Sequence, residues 1–208
     1  MTRKPFFLLA SMVILFSCTG PGTYQAFYEV ISDELPGRQY KPLDKSFYDN
    51  EEYSFLVLKF GNKSPIKLVL VNSADGLDHW ITSDKRSLYT NQYGRVVRTD
   101  GFEHDISITG FYNQNLVQLK KGKYFYDFYD PRLHKISAED IFLEFKSKTY
   151  EIFKGDLIKA DEIIYLSKVP AINWVFENTY LEYNGKLLFS SQEIHPFDGR
   201  LDLYFFYK

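Results

Sequence analysis

Two hydrophobic rhythms divide the chain. Phe6 to Phe16 is apolar apart from Ser11 and shows no polar face. From Tyr53 onward, apolar and polar residues alternate with the period of two that a pleated strand imposes. Phe55, Val57 and Lys59 share one face, while Leu56, Leu58 and Phe60 share the other. Gly61-Asn62-Lys63-Ser64 turns the chain, and Ile66 to Val71 forms the return strand. The same rhythm predicts strands at 79–83, 86–90, 95–99, 105–111, 123–129, 141–146, 149–153 and 161–167. Trp174 to Tyr183 then runs into Asn184-Gly185, and Lys186 to Ser190 runs out. Asn-Gly between strands signals a type I′ hairpin, because both turn positions need positive φ. Leu201, Leu203, Phe205 and Tyr207 close the chain in alternation with Asp202, Tyr204, Phe206 and Lys208. Between the two rhythms, Tyr24 to Ser32 places apolar residues at 27, 30 and 31, the spacing of a short helix. Pro36, Gly37 and Pro42 end it.

About ten to twelve short strands with one short N-terminal helix predict an all-β fold, either an antiparallel half-barrel or a curved sandwich. The 17 tyrosines and 19 phenylalanines fit that prediction. Aromatic rings suit a half-buried pleated surface better than a helix. No internal repeat interrupts residues 18–208, which read as a single β-rich domain. A transmembrane barrel also has alternating, aromatic-rich strands, but it needs about 9–11 residues per crossing. Asp161 to Lys168 is shorter, and Lys59, Lys67 and Glu144 interrupt other candidate strands.

The first rhythm is an address. Thr2-Arg3-Lys4 precedes the apolar run, which is too short for a membrane-spanning helix of about 20 residues but fits a signal peptide. It ends in Leu15-Phe16-Ser17-Cys18, which resembles the lipobox of bacterial lipoproteins. That resemblance implies that residues 1–17 are a signal peptide, removed so that Cys18 becomes the acylated first residue. Acyl chains, palmitate among them, anchor strongly because each buried methylene contributes about 0.8 kcal/mol. Thr19, rather than Asp, follows the cysteine, so delivery to the outer membrane is expected. Loss of Arg3 and Lys4 takes the net charge from −2 to −4. A nucleic-acid binder needs a basic face, so that class is excluded. The single cysteine excludes a disulfide framework and a Cys-rich zinc site.

Chemistry is sparse. His79, His104, His134 and His195 are scattered, and no metalloprotease, phosphate-loop or hydrolase-elbow motif occurs. The densest polar cluster, Asp100-Gly101-Phe102-Glu103-His104-Asp105, reads as a solvated turn, as do Asp75-Gly76 and Asp198-Gly199-Arg200. Trp80 and Trp174 are candidates for glycan or partner contact, although core packing accounts for both. No catalytic residue, metal ligand or cofactor is assigned.

Trp80-Ile81-Thr82-Ser83-Asp84 is followed by Leu88-Tyr89-Thr90 and by Tyr93-Gly94-Arg95-Val96-Val97-Arg98-Thr99. This block resembles the YjbF family, the group 4 capsule polysaccharide (GfcB-like) lipoproteins. Asn178-Thr179-Tyr180 through Gly185 to the closing strand is similar to the family's C-terminal strands. The resemblance implies a half-barrel-like, β-rich lipoprotein of the outer membrane, facing the periplasm, with no established enzymatic activity and no cofactor. It implies partners from a polysaccharide-export operon, including an outer-membrane barrel protein and periplasmic proteins, and polysaccharide itself. It carries over a structural block of Trp80, Ser83, Asp84, Gly94 and Arg95, with Gly94 supplying positive φ and Asp84 pairing with Arg95 across the hairpin. The expected function is an accessory factor in capsule or exopolysaccharide secretion or assembly. A lipid carrier with an acyl-binding cavity and a polysaccharide-modifying enzyme are the alternatives. An apolar cavity would favour the first and a filled aromatic core would eliminate it, while the second requires two or more carboxylates converging in a cleft.

Overall fold

The computed structural model describes residues 48–110, 121–153 and 156–208. The helix expected at 24–32, the signal peptide and Cys18 lie outside the described residues. Twelve strands follow one another: β1 (Phe55–Phe60), β2 (Ile66–Ala74), β3 (Leu77–Ile81), β4 (Ser87–Asn91), β5 (Val96–Asp100) and β6 (Ile106–Thr109). They continue as β7 (Lys121–Tyr129), β8 (Arg132–Phe153), β9 (Asp156–Val169), β10 (Trp174–Tyr183), β11 (Lys186–Glu193) and β12 (Arg200–Phe206). Each pairs antiparallel with the next, and β1 pairs with β12, so the sheet closes into an up-and-down barrel. Closure goes beyond the expected half-barrel. It rests on six register pairs, among them Leu56 with Phe205 and Leu58 with Leu203. These bury apolar side chains and remove the two strand edges that an open sheet would expose.

The turns obey local chemistry. Asn184 and Gly185 have φ of 50° and 74°, and Asp75 and Gly76 have 54° and 75°, the left-handed pairs that a tight hairpin demands. Strand β8 departs from expectation, since the two strands predicted at 141–146 and 149–153 are parts of one 22-residue strand. Bulges at Phe142/Glu144 and Glu151/Phe153 absorb the breaks in alternation and keep the ladder to β9 continuous.

Alternate residues of each strand fill the barrel. Leu56, Leu68, Trp80, Leu88, Tyr124, Tyr126, Phe128, Tyr165, Tyr180 and Phe205 belong to one buried cluster. Trp80 is fully buried, edge-on to Phe205 and Tyr207, and its indole N–H donates to Thr90 Oγ1 at 3.0 Å. Outside the wall, Phe55 and Phe206 stack at 4.7 Å, and Tyr48 lies against both. The Tyr48 hydroxyl donates to the Tyr207 carbonyl at 2.9 Å.

Candidate functional site

Trp80 and Arg95 of the expected block are built into the barrel interior. Asn91 folds the β4–β5 turn by accepting the N–H groups of Tyr93 at 3.1 Å and Arg95 at 2.9 Å. Gly94 takes φ of +71°, and a Cβ there would stand 1.7 Å from Leu187 Cδ2 on β11. Only glycine lets the turn approach so closely. The Gly94 carbonyl accepts from Gln192 Nε2 at 2.7 Å, and Gln192 Oε1 accepts from the Val96 N–H at 3.1 Å. Strands that are far apart in the ring, β4–β5 and β11, therefore touch through the lumen.

This turn sends Arg95 inward. Its guanidinium pairs with Asp140 of β8 and lies 4.2 Å over the Tyr124 ring, with the side chains of both charges at least 98% buried. Asp140 also accepts from the Tyr124 hydroxyl at 2.9 Å and the Ser167 hydroxyl at 2.5 Å. Asn178 donates to Ser167 at 2.9 Å and accepts from the Glu193 N–H at 3.1 Å. Burial opposes the Arg95 charge, but Asp140 and the surrounding tyrosines outweigh it and raise its pKa. Burial raises the Tyr124 and Tyr180 hydroxyls and pushes Tyr165 up to about 12, so these groups stay protonated.

The expected Asp84–Arg95 pair does not form. Asp84, in the β3–β4 turn, pairs with Arg86 at 2.9 Å. Hydrogen bonds from Arg86 and then Thr82 hold its carboxyl below the usual range. The reason is the sharp turn before Arg95, which directs that side chain into the lumen and away from the turn that carries Asp84. Ser83 sits beside Asp84 in the same exposed turn. Trp80 presents no surface to a ligand. Trp174 is half-buried, packed 4.0 Å from Phe176, with its indole N–H 3.4 Å from Glu193.

Two scattered histidines meet. His104, between β5 and β6, and His195, between β11 and β12, stack at 4.6 Å with an interplanar angle of 4°. Asp198 Oδ1 lies 2.5 Å from His104 Nδ1, and one ligand atom from each of the three residues lies within 4.8 Å of the others. This is a donor set for a divalent metal, but parallel rings cannot aim their in-plane lone pairs at one ion. The arrangement as it stands is a hydrogen-bonded, stacked latch between two loops. The hydrogen bond to Asp198 raises the His104 pKa, and burial lowers that of His195. The rest of the 100–105 cluster is turn chemistry, as expected: Asp105 caps the N–H groups of Gly101 at 2.8 Å and Phe102 at 3.1 Å.

The feature that the sequence did not disclose is a cleft of about 540 Å³ lined by the β4–β5 turn and strands β8–β11. Ile163 and Leu187 are buried beneath it, Tyr93 and Phe145 stand at its sides, and Gln92, Asp161 and Glu182 supply polar atoms. Asp161 of β9 is the register partner of Glu182 of β10. Among the described residues, neither carboxylate has an ion pair or a hydrogen bond. Their spacing of 21 positions along the chain carries no motif, so only the strand register brings them together.

The fold resembles the crystal structure of the hypothetical lipoprotein YmcC from Escherichia coli (K12), with a TM-score of 0.67 and 14% identity, covering 91% of this chain and 98% of that one. A crystal structure of a provisionally assigned lipoprotein from Parabacteroides distasonis ATCC 8503 matches at TM-score 0.33 and 11% identity, covering 81% and 99%. No curated protein matches the sequence at a significant level. A family model described as "Group 4 capsule polysaccharide lipoprotein gfcB, YjbF" matches residues 35–205. With the match spanning the barrel from before β1 into β12, the chain belongs to the YjbF family of group 4 capsule polysaccharide lipoproteins.

Proposed function

We propose that this protein is a non-enzymatic accessory lipoprotein of capsule or exopolysaccharide secretion, acylated at Cys18 and held on the periplasmic face of the outer membrane. The family match across the whole barrel carries this reading. The architecture supports it. A transmembrane barrel has an apolar outer band and a polar lumen. Here the lumen is filled with apolar and aromatic side chains, while ion pairs such as Lys146–Glu144 and Lys148–Glu162 stand on partly exposed side chains of β8 and β9. A barrel built this way suits a domain hung from a lipid tether. Its partners in that setting are the operon's outer-membrane barrel protein, its periplasmic proteins and the polymer.

The alternatives fare less well. Among the described residues, Trp80, Tyr124, Tyr126, Tyr165 and a buried ion pair fill the barrel interior, where an acyl chain would need an open apolar tunnel. Asp161 and Glu182 in one cleft do favour a polysaccharide-modifying enzyme. Glycoside hydrolysis, however, needs two carboxyls held in contrasting environments, one kept protonated and the other ionised. These two are adjacent and similarly half-buried.

Deletion of the gene tests the reading: exported polysaccharide falls in amount or length, and restoring the intact gene recovers it. Export unchanged on deletion overturns the accessory role. Cys18→Ala, which cannot be acylated, abolishes palmitate labelling and releases the protein from the membrane fraction.

A further inference from the structure

The cleft at the barrel mouth combines three properties. It is concave and of a size common among ligand sites. It has an apolar floor of Ile163 and Leu187, with Phe145 left 48% exposed at its side although an apolar ring of that size is normally covered. It also has two carboxylates placed directly opposite each other across β9 and β10, with no ion pair to either among the described residues. Like charges in that position oppose folding, so the sequence keeps an arrangement that packing alone disfavours. Gly185, in the same lining, adds no side chain to close the entrance.

A sugar chain fits these properties. Each pyranose offers an apolar C–H face that packs on aromatic rings, and an edge of hydroxyl donors. Carboxylates are its strongest acceptors, because hydrogen bonds to a charged oxygen are short and strong. The same two charges repel any third negative group at this distance through a half-desolvated medium. Resting on the capsule-secretion reading above, we infer that the mouth of the barrel binds a short stretch of uncharged or amine-bearing polysaccharide. Asp161 and Glu182 accept its hydroxyl or ammonium protons and turn away acidic sugars. Tyr93 and Phe145 form the walls against which the sugar rings pack.

The full acylated protein in detergent micelles tests this by calorimetry with three tetrasaccharides of similar size: chitotetraose (neutral), chitosan tetraose (cationic) and tetragalacturonate (anionic). The neutral or the cationic chain binds at least tenfold more tightly than the anionic one. Asp161→Asn with Glu182→Gln narrows that preference to less than threefold, and Phe145→Ala weakens every chain at least fivefold. The amide pair keeps or raises the wild-type melting temperature, since among the described residues neither carboxylate holds a structural partner. Absence of binding by all three chains overturns the inference. So does equal affinity for the anionic chain, tight binding of that chain only with calcium, or a preference that survives the amide pair. In cells, a strain carrying the amide pair exports less polymer. Normal export by that strain alongside failed export on deletion removes the cleft and leaves the accessory role standing.

Discussion

Asp140 and the pair Asp161/Glu182 lie on the same inner surface of neighbouring strands, yet they are opposite cases. Asp140 is 1% exposed and is met by Arg95, Tyr124 and Ser167, so its charge and hydrogen-bonding capacity are spoken for. Asp161 and Glu182 are half-buried, face each other and are met by no cation among the described residues. A buried carboxylate surrounded by donors is part of the fold, because leaving it unpaired would cost several kcal/mol. Carboxylates without partners in a cleft are available to something else. The difference separates what the barrel needs from what it offers.

The most severe way to break this comparison is to remove the Asp140 partner. Arg95→Met leaves a carboxylate buried without its cation, and the expected loss is about 3–5 kcal/mol. Equilibrium urea unfolding reads it. The double change Arg95→Met with Asp140→Leu recovers part of that loss, because an apolar pair replaces the buried ion pair while the Tyr124 and Ser167 hydroxyls lose their acceptor. A loss of less than about 1 kcal/mol for the single change would falsify the structural role given to the pair. Gly94→Ala comes next. Its Cβ would meet Leu187 and Phe205, at 1.7 Å and 3.2 Å, in a backbone conformation that disfavours side chains. Overpacking of this kind costs about 1–3 kcal/mol. Gly94→Ala with Leu187→Ala should regain part of it.

These two residues also show what was legible in the sequence. The Gly-Arg turn stood out locally, since positive φ at Gly94 follows from its place between strands. The partner of Arg95 did not. Asp140 is 45 positions away, in the first part of β8, just before the strand expected at 141–146. Strand count and most strand limits followed from alternation, which is a local signal. Closure depended on β1 meeting β12 across the whole chain, and the cleft on register between β8, β9 and β10. His104 and His195 likewise met only through the closed ring, 91 positions apart. Long-range pairings of this sort leave no mark in spacing.

The comparison sharpens at the cleft with a smaller effect. Asp161→Asn and Glu182→Gln each remove one of two facing charges. Stability should hold or rise by up to about 1 kcal/mol, the scale of a cross-strand charge pair. Urea midpoints of both variants read this directly. A fall beyond about 1 kcal/mol would give these carboxylates the same structural standing as Asp140 and erase the contrast.

Asp198 supplies the intermediate case, a carboxylate whose partner is conditional on pH. Its hydrogen bond raises the His104 pKa above the unfolded value of 6.5. The stability it lends is therefore complete below pH 6.5 and is lost as pH rises through the raised value. His195 runs the other way, because burial lowers its pKa. It favours the fold above pH 6.5 and withdraws that support as pH falls through the lowered value. The groups facing the pair are Asp198, Glu103 and Asp130, all of which favour the proton on His104, while the charge on His104 disfavours a proton on His195. Asp198→Asn removes the attraction, so the wild type should lead it by about 1 kcal/mol or less at pH 6, with the lead shrinking by pH 8.5. His195→Phe, which keeps a ring in the stack, should flatten the acid side of the wild-type profile. Urea midpoints between pH 5 and 8.5 provide the measurement. A difference between wild type and Asp198→Asn that stays constant across that range would mean that the His104–Asp198 contact is held by packing, with no part for the proton they share.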